Sequence, residues 1–363
     1  MVELGTATNL ENLGLSVGTP DIASVGPLAF GPQGILFIAD NVGANIFAVD
    51  VNDADDGSPQ DVNVDNIDAS LASYLGCSRD DVAIRDMAVH PTSNSLYLSV
   101  MRGAGDSAIP VIFRIAGDGS IADVALENVA FSQYAITDAA EADDPRVVTR
   151  MQLRTVTVTD MSYVDGLLMV AGTSNEEFTS TFRRIPFPFN GEAESNSLEI
   201  FHVSHGKYET AAPIRAFVPY QGNSSILASY TCTPVVQFTL ADLDAGKHVM
   251  GKTVAELGSH NHPLDLISYE RDGGEYLLVC NDRHPLFKIA CQDIDGQGPL
   301  TVPDDSLDAS PADPVTPGVG VPRELLPHPG VKRMVNLNGN GVVMLQQDDD
   351  GHTHLHTYAT ATL

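Results

Sequence analysis

A short pattern of apolar runs and turns occurs six times along this chain, and that repetition constrains its fold more than any other feature. The first copy, "PLAFGPQGILFIADNVGANIFAVD" from Pro27 to Asp50, holds three apolar runs separated by Gly-rich and Asn-rich turns. Further copies begin "IRDMAVHPTSNSLYLSV" at Ile84, "VTDMSYVDGLLMVAGT" at Val158 and "PIRAFVPYQGNSSILASY" at Pro213. The last two begin "PLDLISYERDGGEYLLVC" at Pro263 and "VKRMVNLNGNGVVMLQQ" at Val331. A fixed repeat of this kind outranks local propensity as a guide to architecture.

Within each copy the first two runs read as strands joined by a tight turn, since "GPQG", "VDG", "ERDGG" and "NGNG" carry the residues such turns need. The third run keeps apolar residues two apart, as in Phe113 and Ile115, Phe238 and Leu240, or Phe287 and Ile289, the period of a strand. Helical periodicity is scarce, with "DASLASYLG" from Asp68 to Gly76 the clearest case. Six antiparallel units of three or four strands predict an all-β, six-bladed β-propeller, which protects sheet edges by arranging them radially. The expected blade cores lie near 25–50, 84–116, 157–185, 213–241, 263–291 and 331–360 of a single domain spanning 1–363. The sixth copy ends after three strands, so the N-terminal stretch from Leu13 to Val17 is expected to close the last blade.

Charge narrows the partners. With 48 acidic residues against 19 basic ones and a net charge of −29, the chain is a poor match for nucleic acid, whose binding is driven by cations meeting phosphate. No run of about 18 apolar residues is present, so no membrane insertion is expected. The first residues lack a basic and an apolar leader region, which predicts a cytoplasmic chain, or an extracytoplasmic one if a leader was trimmed. The four cysteines contain no CxxC and are too few to staple a chain of 363 residues.

In a propeller, the loop entering each innermost strand and the loop joining its second and third strands open on one face. Aligning the six copies puts Gly26, Asp86, Asp160, Arg215, Asp265 and Arg333 at the start of the innermost strand. Ionisable groups there are costly to bury unless paired or hydrated. The ring therefore reads either as a structural salt-bridge plug or as a site in which Asp86, Asp160 and Asp265 supply acid-base chemistry. Arg215 and Arg333 would then clamp a small anionic ligand.

Entry loops bring His205 and Tyr208, His260 and His262, and His328 to the same face. His205, His262 and His328 are the expected ligands of a divalent metal, Zn, Fe, Mn or Ca, since imidazole and carboxylate suit such ions. "SYTCTP" puts Tyr230 and Cys232 in a second-to-third strand loop beside cations such as Arg215, the surroundings of a reactive thiol or a ligand contact. Near the C-terminus "HTHLH" aligns His352, His354 and His356 on one face of a strand, but level with residues that pack between blades, which predicts a structural cluster. A metal-assisted enzyme and a non-catalytic propeller that binds a ligand or a protein partner both fit these residues.

The repeats resemble the NHL-repeat and SMP-30/gluconolactonase-like group of six-bladed propellers, whose blades read "GIAVD..G.IYVAD..N..I". In the first copy Gly34, Ala39, Asp40, Asn45 and Ile46 fall in register with that pattern. The resemblance spans the repeats and implies the fold. It stops short of the lactonase chemistry, because Val25 and Gly26 stand where the calcium-dependent members carry a Glu.

Overall fold

The computed structural model describes residues 12–53, 60–243, 246–258, 261–303 and 319–363. Six sheets, antiparallel but for one parallel pairing at the edge of the third, radiate as blades from a common centre. The first holds Leu28–Phe30, Ile35–Asp40 and Asn45–Asp50, and the second runs from Val82–Val89 to Ile121–Asp123. The third to sixth start at Asp160–Val164, Ile214–Tyr220, Pro263–Arg271 and Val331–Leu337. A helix at Ile67–Leu75 ends at Gly76, whose φ of 63° suits a left-handed cap that glycine adopts without strain. Among the described residues no helix is long and apolar enough to cross a membrane.

Strand periodicity explains how the blades stack. In the first blade Phe37, Ala39, Ile46 and Ala48 join a cluster with Met161, Leu168, Val170 and Ile185 of the third. The alternate residues Leu36, Ile38, Phe47 and Val49 pack on Tyr97, Met101 and Ile112 of the second. Side chains of a strand point to opposite faces in turn, so a blade buried on both sides reads as a continuous apolar run. Removing each large side chain from water contributes roughly 1.5–3 kcal/mol.

The same clusters give the ring order, which is not the chain order. The first blade lies between the second and the third, and the second meets the sixth through Leu98, Phe113, Val343 and Leu355. Two crossings of the chain produce this. After the first three strands, residues 62–64 run along the sixth blade, where Val64 N–H donates to Leu355 O at 2.8 Å and Leu355 N–H donates back at 2.9 Å. The chain then builds the second blade and returns through Val129–Ala135 to the outer edge of the first.

The expected closure by the N-terminal strand is therefore corrected. Ser16–Gly18 pairs with Phe131, Ala130 and Val129 on the first blade, while Leu13 and Leu15 are buried in the cluster that blade shares with the third. The edge of the sixth blade is already taken by residues 62–64, so the N-terminal strand finds its partner elsewhere.

Candidate functional site

The five expected charged residues, Asp86, Asp160, Arg215, Asp265 and Arg333, gather at the channel, the three aspartates bridging blades and the two arginines meeting at Leu264 O. In four blades the innermost strand carries a one-residue bulge, at Arg85, Arg215, Leu264 and Lys332. The carboxylate of Asp86 accepts from Leu28 N–H at 2.8 Å, that of Asp160 from Phe217 N–H at 2.7 Å, and that of Asp265 from Met334 N–H at 2.7 Å. Each bond crosses to the next blade, so the aspartates act as three struts spaced around the ring.

This pattern corrects the alignment at two places. Ala216, not Arg215, stands level with Asp86, Asp265 and Arg333, because Arg215 is itself the bulged residue. Pro27, not Gly26, occupies that level in the first blade, since the next residue, Leu28, receives the strut. Arg215 Nε and Arg333 Nη1 both donate to Leu264 O, at 3.2 and 2.5 Å, and Arg333 Nε lies 3.6 Å from Asp86 Oδ1.

Burial dominates the electrostatics here. It pushes Asp86 up to about 6 against the pull of Arg333, and raises Asp160 well above the carboxylate range with Asp86 and Asp265 adding repulsion. Asp265 is raised by burial as well, despite Arg333. Arg215 is pulled down to about 10 by burial and by the neighbouring Arg333 guanidinium.

Beside this ring opens a cleft of about 340 Å³ lined by Arg150, Met151, Arg215, Thr231, Cys232, His262 and Leu264, among others. Arg150 comes from a short hairpin, Val147–Val148 with Met151–Gln152, and takes a φ of 70° at its turn. Arg154 anchors the segment after it by donating to the carbonyls of Asn41, Ala140 and Val42 at 2.7–2.9 Å. The hairpin thus brings a second guanidinium to the cleft that Arg215 lines.

Behind Cys232 lies a partly buried polar cluster between the third and fourth blades, from the buried His202 to the exposed His205. His202 ends the strand Glu194–His202, a single turn carries His205, and the returning strand Lys207–Glu209 brings a carboxylate back. Glu209 meets both imidazoles, His202 Nδ1 at 3.0 Å and His205 Nδ1 at 2.7 Å. Ligand atoms of His202, His205 and Cys232 all lie within 4.8 Å of one another. His202 Nε2 also meets the hydroxyls of Thr233 at 2.9 Å and Ser204 at 2.7 Å, and Glu256 accepts from Thr233 Oγ1 and from Val203 N–H.

Burial opposes a charge on His202, but its hydrogen bonds to Cys232 and Glu209, with the charge of Glu256, outweigh it and hold the imidazolium up to about 10. Glu209 is taken down to about 2, its burial overcome by His202 and His205. Glu256 is raised by burial.

The residues singled out in the sequence divide accordingly. Arg215, Cys232 and His262 share the cleft, and His205 reaches Cys232 from behind. His262 is held by Asp282, with Nδ1 2.8 Å from Oδ2. His328 stands apart, its ring edge-on to Tyr358 at 4.6 Å, and burial lowers its basicity. Tyr208 is exposed and edge-on to Phe201, whereas Tyr230, expected at the mouth, is 1% exposed in the core between the third and fourth blades. As the last residue of Ser225–Tyr230, its side chain follows the strand alternation inward. His260 lies outside the described residues.

Sequence reasoning missed His202, Glu209, Glu256 and Arg150. The signal for the first two was present as His202, His205 and Glu209 in "HVSHGKYE", a turn flanked by potential ligands.

No protein-family model and no curated protein matches this chain. Solved structures similar to it include a streptogramin B lyase, at 8% identity over 95% of this chain and 97% of that one with a TM-score of 0.38. Another is the Cps50 (Swd1) β-propeller domain of Myceliophteria thermophila, at 11% identity over 93% and 84% with a TM-score of 0.41. A chain of a mitotic checkpoint complex aligns at 9% identity over 95% and 91% with a TM-score of 0.39. The six-bladed architecture of this chain rests on its own strand pairing and packing.

Proposed function

We propose that this propeller is a metal-dependent hydrolase acting on a small anionic molecule in the cleft at its channel mouth. The observation that carries this reading is the clamp of Glu209 on the Nδ1 atoms of both His202 and His205, beside Cys232. Metal-ligating histidines commonly donate their second nitrogen to a carboxylate, which fixes the tautomer and aims the other nitrogen at the ion. Two imidazoles and one thiolate suit zinc better than calcium, which takes oxygen ligands. Tetrahedral zinc would hold such donors about 3.3–3.6 Å apart, so from the 4.8 Å within which they lie a contraction of about 1.2–1.5 Å at most would form the site. A cation at His202 Nε2 would displace the Ser204 and Thr233 hydroxyls from that nitrogen.

His202, His205 and Cys232 would hold the ion as three protein ligands, and zinc bound by three ligands would supply an activated water for hydrolysis. Arg215 and Arg150 orient the anionic substrate, and His262, steadied by Asp282, serves the leaving group as a proton donor. Asp86, Asp160 and Asp265 act as struts that fix the wall carrying Arg215 and Arg333. The test is hydrolysis of a panel of anionic esters, lactones and phosphomonoesters by zinc-loaded protein. Turnover that chelator and Cys232→Ala abolish, and that Arg215→Ala weakens through KM, is expected. Turnover indifferent to both chelator and Cys232→Ala would refute the reading, and binding of the anions without turnover would favour a non-catalytic propeller.

One geometry favours a second reading. Cys232, His202 and Glu209 follow the order nucleophile, partner imidazolium and orienting carboxylate, so a metal-free chain would present a sulfur nucleophile to the same cleft. Alkylation of Cys232 separates the two, since zinc protects a ligating thiol while the metal-free nucleophile reacts irrespective of added zinc.

A further inference from the structure

We propose that the ring closure carries its own divalent-cation clasp, formed by Asp65, His354 and His356 and fitted to a zinc-class ion. The site is separate from the mouth, on the outer edge of the sixth blade.

His354 and His356 alternate on Thr353–Ala359, so both imidazoles leave the same face of that strand, with ring centroids 5.6 Å apart and planes 20° from parallel. Asp65 approaches from the segment that closes the ring. Its Oδ1 lies 3.3 Å from His354 Nδ1 and 3.0 Å from His356 Nε2, and the three ligand atoms fall within 4.8 Å of one another. The far nitrogen of His354 is 3.2 Å from Asp348 Oδ2, an outer-shell carboxylate of the kind that orients metal-bound histidines. Two imidazoles and one carboxylate, with water completing the shell, suit zinc and its neighbours.

The position gives the site a purpose. Val64, one residue before Asp65, makes the paired backbone hydrogen bonds to Leu355, the residue between the two histidines. Thr357 adds side-chain and backbone bonds to Val62 and Asn63. These few bonds tie the chain's early segment to its last strand, because residues 62–64 run along the open edge of the three-stranded sixth blade and bridge to it at Val64 and Leu355. A cation bridging Asp65 to His354 and His356 locks that seam and stabilises the closed ring by mass action, since the three ligands come together only when the ring is shut.

The test uses the full chain carrying Cys232→Ala, which leaves the clasp as the site under study. After removal of metals, cobalt(II) titration should show one equivalent bound with no thiolate-to-cobalt band. Zinc at 100 times its dissociation constant should raise Tm by roughly 3–4 °C. Both effects should vanish in Cys232→Ala with His354→Gln and His356→Gln. Asp65→Asn, which alters only the exposed partner, should weaken binding at least tenfold and guards against a folding defect in the double histidine variant. No bound equivalent in Cys232→Ala, or one retained in the histidine variant, overturns the site, and binding without a rise in Tm overturns its role as a clasp. None of these results depends on the mouth site, whose own signature is the thiolate band.

Discussion

Replacing Asp86 by asparagine isolates what the carboxylate ring does to stability. Asp86 is held at about 6 in the folded chain against 3.8 for a free aspartate, chiefly by burial, with Arg333 3.6 Å away recovering part of the cost. The folded state therefore binds this proton more tightly than the unfolded state. Its contribution is most favourable below about pH 4, falls as pH rises through the window from about 4 to 6, and is level above it. A shift of about two units corresponds to ~3 kcal/mol. Asparagine is neutral at every pH and keeps one acceptor for Leu28 N–H, while losing the second oxygen and Arg333, at a cost of ~1–2 kcal/mol. Relative to wild type, Asp86→Asn should be less stable by ~1 kcal/mol at pH 4 and more stable by ~1–2 kcal/mol at pH 7, the difference moving by ~2–3 kcal/mol. Urea unfolding at pH 4, 5, 6 and 7 with matched slopes measures it. A difference that stays constant with pH would refute the buried-carboxylate argument, as would one that moves the other way.

Glu209→Gln should weaken zinc binding at the mouth 10- to 100-fold in a chelator competition, because one of the two imidazoles loses its anionic partner; unchanged affinity would remove Glu209 from the site. Gly172→Ala would place a Cβ 2.0 Å from the carbonyl oxygen of Thr157, so the turn that seats the third blade must move, costing ~3 kcal/mol by thermal or chemical unfolding. Phe37→Ala, deleting a fully buried ring that packs on Phe187 at 4.9 Å between the first and third blades, should cost ~3–5 kcal/mol. A loss below ~1 kcal/mol there would contradict the blade order deduced from the clusters.

The six units were legible because each blade is buried on both faces, which forces long apolar runs bounded by turn residues. Blade order was not legible, since it depends on the edge segment at 62–64 and on the outer strand "VAFSQYA" at Val129–Ala135, neither with a repeat signal of its own. A bulge adds one residue without marking the sequence, so Arg215 slid one place out of register while Asp86, Asp265 and Arg333 did not. The mouth was half visible: Arg215, Cys232, His262 and His205 stood out from their loops, but His202 sits at the end of an outer strand that the repeat does not include. Its partner Glu209 lies seven residues on in the same hairpin, but Glu256 comes from the neighbouring blade, a proximity only the fold creates.

Cobalt(II) titration of the metal-free wild-type chain, followed optically, tests the central claim most directly. The account predicts one equivalent with a thiolate-to-cobalt charge-transfer band that Cys232→Ser removes and His202→Ala or His205→Ala weakens. Cobalt binding that never develops this band in the wild-type chain would contradict a cation held by His202, His205 and Cys232.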